Sequence, residues 1–424
     1  MTATHINSYY AATANDLTRY PVLKGTVTAD VCVVGGGFSG IATALSLRER
    51  GYSVVVVEAQ RVGWGASGRN GGQLIAGISG EHRIESQLGE AGRKLLADIR
   101  YLGHDIIQRR VADHAIACDL KWGWAEVAAR PRHMEAIRAY VAERHASGDG
   151  DGLSLVEPQD MSRILGSRLY HGGFVDRRSG HLHPLNLCLG EARAAAAQGV
   201  RIFEESPVTA VAGGASPFVT TAEGRVEAQS IVLAGYLDAS FQSGRLNGLL
   251  FPTGSYIVAT EPLTEALARE INPQDLAVAD SNVVLDYFRL SADRRLLFGG
   301  RCNYSNRDPR DIRATLRPRM VEVFPQLRDV RLDFAWGGKI DIVLTRVPAI
   351  GRREPNVYYM QGYCGHGVNT THIAADIVAD AIAGTMERFD LFEKIRHVRL
   401  PVGQFLGNQM LALGMLYYRL RDLL

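Results

Sequence analysis

The chain has 424 residues, 46% of them apolar and 22% charged. That balance excludes a disordered or fibrous protein, and five widely spaced cysteines exclude a small disulfide-stapled scaffold. With 47 basic and 45 acidic side chains the net charge is +2, which argues against nucleic acid as a partner.

Residues 1–28 are polar and carry Tyr9, Tyr10 and Tyr20, which hint that part of this lead-in packs down. The start lacks the apolar core of a signal peptide, and no run of 18 apolar residues follows anywhere. With Cys32, Cys118, Cys188, Cys302 and Cys364 all single, the expected setting is cytoplasmic and reducing, without a transmembrane segment. The run 29–34 reads as a buried parallel strand, 38–50 as a helix stopped by Gly51, and 53–57 as a second strand. Residues 61–80 hold seven glycines, too many for a helix interior and too long a stretch for an ordinary connection.

Periodicity predicts helices over 85–112, 131–146, 185–198, 311–324, 368–384 and 402–422. Strands are expected over 115–128, 200–205, 207–213, 226–234, 251–260, 331–337 and 356–360, with a strand-and-loop stretch at 170–184 and a hairpin across 283–303 turning near Ser291–Arg294. A strand, a glycine turn and a helix recur at 356–384, so the end of the chain should return to the first unit. The fold class expected is α/β. A Rossmann-like dinucleotide-binding domain (1–90, 155–250 and 345–385) is interrupted by an α+β domain with an antiparallel sheet (91–154 and 251–344). Residues 386–424 would form a helical extension whose helix 402–422 is a core or interface helix, a lid, a homodimer contact or a membrane-surface anchor.

Gly35-Gly36-Gly37-Phe38-Ser39-Gly40 satisfies G-x-G-x-x-G between the first strand and the first helix. Gly35 permits the tight turn, Gly37 admits a pyrophosphate, and Gly40 lets helix and strand pack closely. Glu58 ends the second strand 18 residues after Gly40, where a carboxylate accepts from ribose hydroxyls. The motif alone does not choose between FAD and NAD. The Gly-rich loop that follows, with Arg69 and Asn70 inside it, is either a neighbour of a planar ring or an ordinary surface loop.

That loop, Gly63-Trp-Gly-Ala-Ser-Gly-Arg-Asn-Gly-Gly-Gln73, resembles the flavin-binding loop of the FAD-dependent D-amino-acid-oxidase-like superfamily. The chain is most similar there to the γ-glutamylputrescine oxidoreductases. Ser8–Ala12, Gly180-His181-Leu182-His183-Pro184, Trp336-Gly337-Gly338, Pro348–Gly351 and Gly362–Gly367 extend the likeness over essentially the whole chain. The resemblance implies FAD, flavin oxidation of a small-molecule amine, and oxygen as the acceptor. It further implies that Gly35, Gly37, Phe38, Ser39, Gly40, Glu58 and Ala59 hold the pyrophosphate and ribose. Ala66, Ser67, Arg69, Asn70, Gly71, Gly72 and Gln73 would line the ring, Val208, Ala234 and Gly235 would pass by the dinucleotide, and Gly365, Gly367 and Val368 would approach the pyrimidine edge. Some sarcosine oxidases of the superfamily tether flavin through a Cys in the tract matching 337–344. None stands here, so the FAD is expected to be noncovalent. Those enzymes also carry a Lys above the flavin; 283–305 has none, which leaves the acceptor open.

Amine oxidation needs a neutral amine and a cofactor positioned against its carbon; no metal or triad is required. His366 is the candidate to accept or hold the amine proton, or else a structural flavin contact. Trp64, Tyr287, Arg301, Trp336 and Lys339 are the candidates for the substrate side, aromatic faces suiting a cation and Arg a carboxylate. His181 and His183 read first as hydrogen bonds that seat the helix after Pro184. Rival readings are another amine, a carrier in place of oxygen, or nucleotide binding without turnover.

Overall fold

The computed structural model describes residues 4–235, 246–303, 308–400, 407, 409, 410 and 412. The helix expected over 402–422 falls almost entirely outside them.

The first sheet is mixed, parallel from Val357–Gln361 to Arg201–Phe203 and antiparallel at Ala349–Glu354. Its order is Ala349–Glu354, Val357–Gln361, Gly224–Leu233, Gly25–Val34, Val54–Val57 and Arg201–Phe203. The strand Val357–Gln361 pairs in parallel with Gly224–Leu233, so the chain does return to its first sheet near the end. Val54–Val57 is four consecutive buried valines, the continuous apolar run that a strand covered on both faces requires. The helix Phe38–Glu49 behind it is buried on all sides over Phe38–Leu47, packed between the sheet and the helices Pro184–Ala197 and Gly367–Ile382. Phe38, Ile41, Leu45 and Leu47 each contribute about 1.5–3 kcal/mol through that burial.

The second sheet is mostly antiparallel, in the order Leu332–Val343, Leu250–Thr260, Leu296–Asn303, Tyr287–Leu290, Ala277–Asp280, Lys121–Val127, Gly173–His181 and Gln73–Leu74. One face, with Ala125, Val258, Phe288 and Phe298, packs on the helix Ile312–Val323 through Leu316, Met320 and Val323. The other face presents Ile257, Leu297 and Trp336 to the core shared with the first sheet.

Three expectations change. The helix expected over 85–112 is three helices, Glu81–Leu88, Glu90–Ile99 and Leu102–Asp113. Gly89, at φ +60, separates the first two. The strands Gln73–Leu74 and Gly173–His181 belong to the second sheet, so the ranges 1–90 and 155–250 are each divided between the sheets. Trp122 and Trp124 do not alternate evenly: a bulge at Gly123, φ +123, leaves Trp122 exposed and Trp124 buried.

Candidate active site

The turn after Gly25–Val34 is closed by contacts no other residue could make. A Cβ on Gly35 (φ +111) would stand 2.9 Å from the Gly235 Cα, and one on Gly40 would stand 1.8 Å from the Gly35 carbonyl oxygen. One on Gly37 would lie 2.7 Å from Ser67 Oγ. The Gln361 side chain donates to the Gly235 carbonyl at 3.2 Å, so three distant parts of the chain meet here. Glu58 accepts from Gly36 N at 2.6 Å and from Gln60 N at 2.8 Å. Burial pushes its carboxyl up, and those amide bonds work against the push. Ser67 Oγ accepts from Phe38 N at 2.9 Å, and Ser39 and Tyr363 share a hydroxyl–hydroxyl bond of 2.8 Å. Ala59 is exposed beside Glu58.

Side chains then fix the Gly-rich loop. A single 3₁₀ turn, Ala66–Gly68, is stapled by Asn70, whose amide donates to Ala66 O (3.0 Å) and Ser67 O (2.9 Å) and accepts from Gly72 N (2.8 Å). The Arg69 guanidinium lies 4.1 Å over Trp64 and donates to the Trp64 carbonyl at 2.7 Å. The Arg69 carbonyl accepts from Trp336 Nε1 at 2.9 Å, which ties the loop to the second sheet. Gly71 faces the Tyr287 ring, where a Cβ would stand 2.7 Å away. Gln73 donates to Val278 O and accepts from Trp124 Nε1.

His366 caps the helix Gly367–Ile382 and turns its ring back on the loop, Nε2 lying 3.2 Å from the Ile75 carbonyl. A carbonyl only accepts, so Nε2 carries the hydrogen and the lone pair is on Nδ1. Burial holds the imidazole below its usual pKa. Gly365 (φ +88) and Gly367 precede and open the helix, and Val368 is buried.

The substrate-side candidates separate. Tyr287 is half-buried, its hydroxyl 3.1 Å from Ser255 Oγ. Trp64 donates to Thr4 O. Trp336 is a core anchor, 2% exposed, with its ring 5.3 Å from that of Tyr10. Lys339 is exposed. Arg301 is on the strand Leu296–Asn303, but its side chain lies outside the described residues. Val208 packs on the first sheet's core, and the Ala234 amide donates to Val34 O. His181 bonds the Asp275 carbonyl, and His183 accepts from Asn186 N at the helix start; burial pushes both down to about 3.

Two residues escaped the sequence. Arg289, 3% exposed, donates to Gly71 O (2.8 Å), Leu182 O (2.7 Å), Leu290 O (3.2 Å) and Tyr10 OH (3.1 Å). It thereby seats the Gly71–Gly72 turn against three other segments. Asp341 leaves Oδ1 buried without a partner beside the 362–367 loop, and burial raises its carboxyl to about 7. Neither is preceded by a motif; each looks in sequence like an ordinary strand charge.

These residues suit a flavin dinucleotide. The glycine turn admits no side chain where phosphates approach. Arg69 Nη2 and Gln361 Oε1, like Asp341 Oδ1, are buried polar atoms left without partners. Fold and site thus define a dinucleotide-dependent redox protein of two sheets. The family described as FAD dependent oxidoreductase matches residues 30–381, and the chain belongs to it. It is 40% identical over 421 residues to "Gamma-glutamylputrescine oxidoreductase" of Escherichia coli, covering 99% of this chain and 98% of that one. It is also 40% identical over 425 residues to "Probable oxidoreductase OrdL" of Haemophilus influenzae, covering 99% and 97%. Among solved structures, glycine oxidase from Geobacillus kaustophilus superposes with a TM-score of 0.72 at 19% identity, covering 88% of this chain and 99% of that one, a likeness of fold. The protein is an FAD-dependent oxidoreductase. No helix among the described residues is long and apolar enough to cross a membrane.

Proposed function

We propose that the chain oxidises the free primary amine of γ-glutamylputrescine, or of a closely similar amine, to an aldehyde. One amine, one oxygen and one water give one aldehyde, one ammonia and one hydrogen peroxide. The observation that carries this reading is the 40% identity to the E. coli relative along 99% of this chain. The enzyme would act in the cytoplasm, as a homodimer.

When bound, FAD supplies a two-electron acceptor for the hydrogen leaving the carbon next to nitrogen. The chain's own residues hold, orient and deprotonate. Gly35 to Gly40 and the helix start at Phe38 hold the pyrophosphate, and Glu58 the ribose. The Ala66–Gln73 loop and Gly365–Val368 would hold the ring. Tyr287 and Trp64 offer aromatic faces to an alkylammonium chain. His366, whose Nε2 faces the Ile75 carbonyl and leaves Nδ1 as the acceptor, takes a proton from the substrate ammonium, because only the neutral amine has the electron pair that expels a hydride.

The test is anaerobic bleaching of the yellow holoprotein with γ-glutamylputrescine, putrescine, spermidine, sarcosine and D-alanine. Bleaching by the glutamylated diamine is expected. Bleaching by D-alanine or sarcosine but not by it overturns the substrate, and bleaching by none overturns amine oxidation. In air, peroxide equal to aldehyde is expected; aldehyde formed only with an added electron carrier overturns oxygen as the acceptor.

A further inference from the structure

Across the second sheet, directly paired residues form one row: Phe174, Glu126, Ala279, Tyr287, Gly299, Ile257 and Trp336. Paired neighbours in a sheet point to the same face. Trp336 bonds the Arg69 carbonyl and Tyr287 abuts Gly71, so this face is turned to the cofactor loop. Glu126 is therefore on the cofactor-facing side, two strands and about 10 Å from Tyr287.

Its surroundings are apolar. Trp124 and Ala128 flank it along the chain, and with Phe174, Ala279 and Met134 they form one cluster on which Ile75 and Tyr287 pack. The Glu126 side chain is partly open to solvent. Burial alone acts on its carboxyl, raising it to about 7, with no hydrogen bond or neighbouring charge among the described residues to offset the effect. Three other acids of this sheet have partners: Asp176 accepts from Ser179 Oγ, Asp280 from Asn282, and Asp286 from Arg319; Asp341, on the far edge strand beside the 362–367 loop, shares the lack of one. A carboxylate kept in an apolar wall without a partner costs stability, and the cost is removed when a cation arrives.

We propose that Glu126 receives an ammonium group of the substrate on the apolar sheet face that carries Trp124, Ala279 and Tyr287. That face takes an alkylammonium: its apolar side chains suit a methylene chain and its one carboxylate suits the positive end. This rests on the amine-oxidising reading above, and it adds the residue that selects cationic substrates over neutral ones.

The test compares holoenzyme with Glu126→Gln and Glu126→Asp. Anaerobic reduction by γ-glutamylputrescine at pH 8.5 should show a half-saturating concentration raised roughly 10- to 100-fold in E126Q, with partial recovery in E126D and unchanged FAD content. Equal half-saturation in wild type and E126Q overturns the proposal. A second probe needs no turnover. tert-Butylamine has no hydrogen on the carbon bearing nitrogen and cannot be oxidised, so its binding is read as a shift of the visible flavin spectrum. Wild type should respond to it and not to tert-butanol, and E126Q should respond to neither. Equal responses of wild type and E126Q to the amine overturn the proposal even if no amine bleaches the flavin.

Discussion

Arg289 is a cation enclosed by carbonyl oxygens and one phenol, with no carboxylate within ion-pair reach among the described residues. Its guanidinium fork matches acceptors on four segments, which an ammonium cannot reproduce. Arg289→Met leaves those acceptors buried and unmet, a cost of about 2–4 kcal/mol. The variant should release FAD on desalting and melt earlier, and Arg289→Lys should recover little. An Arg289→Met protein that keeps its colour and melting temperature would remove this role. The sequence hid Arg289 because a lone charge in a hairpin strand reads as solvent-facing; only Gly71 and Leu182, more than a hundred residues away, reveal what it touches. Gly35, Gly40 and Glu58 were legible because their task is local, set by the turn between one strand and the next helix.

Among elements, the helices behind the glycine turn are held by a buried charge group. Arg110 reaches Glu191, Ser46 Oγ and the Ala42 carbonyl, and Glu191 also meets His372. Four helices are joined there with no exposed atom on Glu191 or His372. Burial pushes the Glu191 carboxyl up, but His372 and Arg110 outweigh it and hold it below the usual range. A folded-state pKa below the unfolded one gives stability that is present above the ordinary carboxylate range and lost as pH falls through the folded value. Glu191→Gln should therefore destabilise by about 3 kcal/mol at pH 7, leaving the buried Arg110 only the Glu49 carboxylate at 3.5 Å. The gap between the two proteins should narrow in acid, as read from thermal melts at pH 7 and pH 4. Periodicity located the helices Phe38–Glu49, Pro184–Ala197 and Gly367–Ile382 closely. It could not see the break at Gly89, because the apolar spacing continues through a residue whose backbone does not.

At the scale of the molecule, the proposed redox site lies where two sheets share one core. Apoprotein would leave Arg69 Nη2, Gln361 Oε1 and Asp341 Oδ1 without partners in that region. Adding FAD to stripped protein should raise its melting temperature, by the equivalent of about 4 kcal/mol at a thousandfold excess over Kd. An unchanged melting temperature would place the dinucleotide elsewhere. The two-sheet plan was legible from the glycine motif and the alternating strands. The ownership of Gln73–Leu74 and Gly173–His181 was not, because pairing partners distant in sequence leave no mark on a short strand.

The meeting of Gly35, Gly235 and Gln361 has a consequence for biosynthesis. A nascent polypeptide still on the ribosome would display the glycine turn early, yet lack the two strands that wall it in. Loading must wait until translation has passed residue 361 and the late strand has threaded beside the early ones. Prematurely terminated products would then emerge colourless, whatever the cell's supply of flavin.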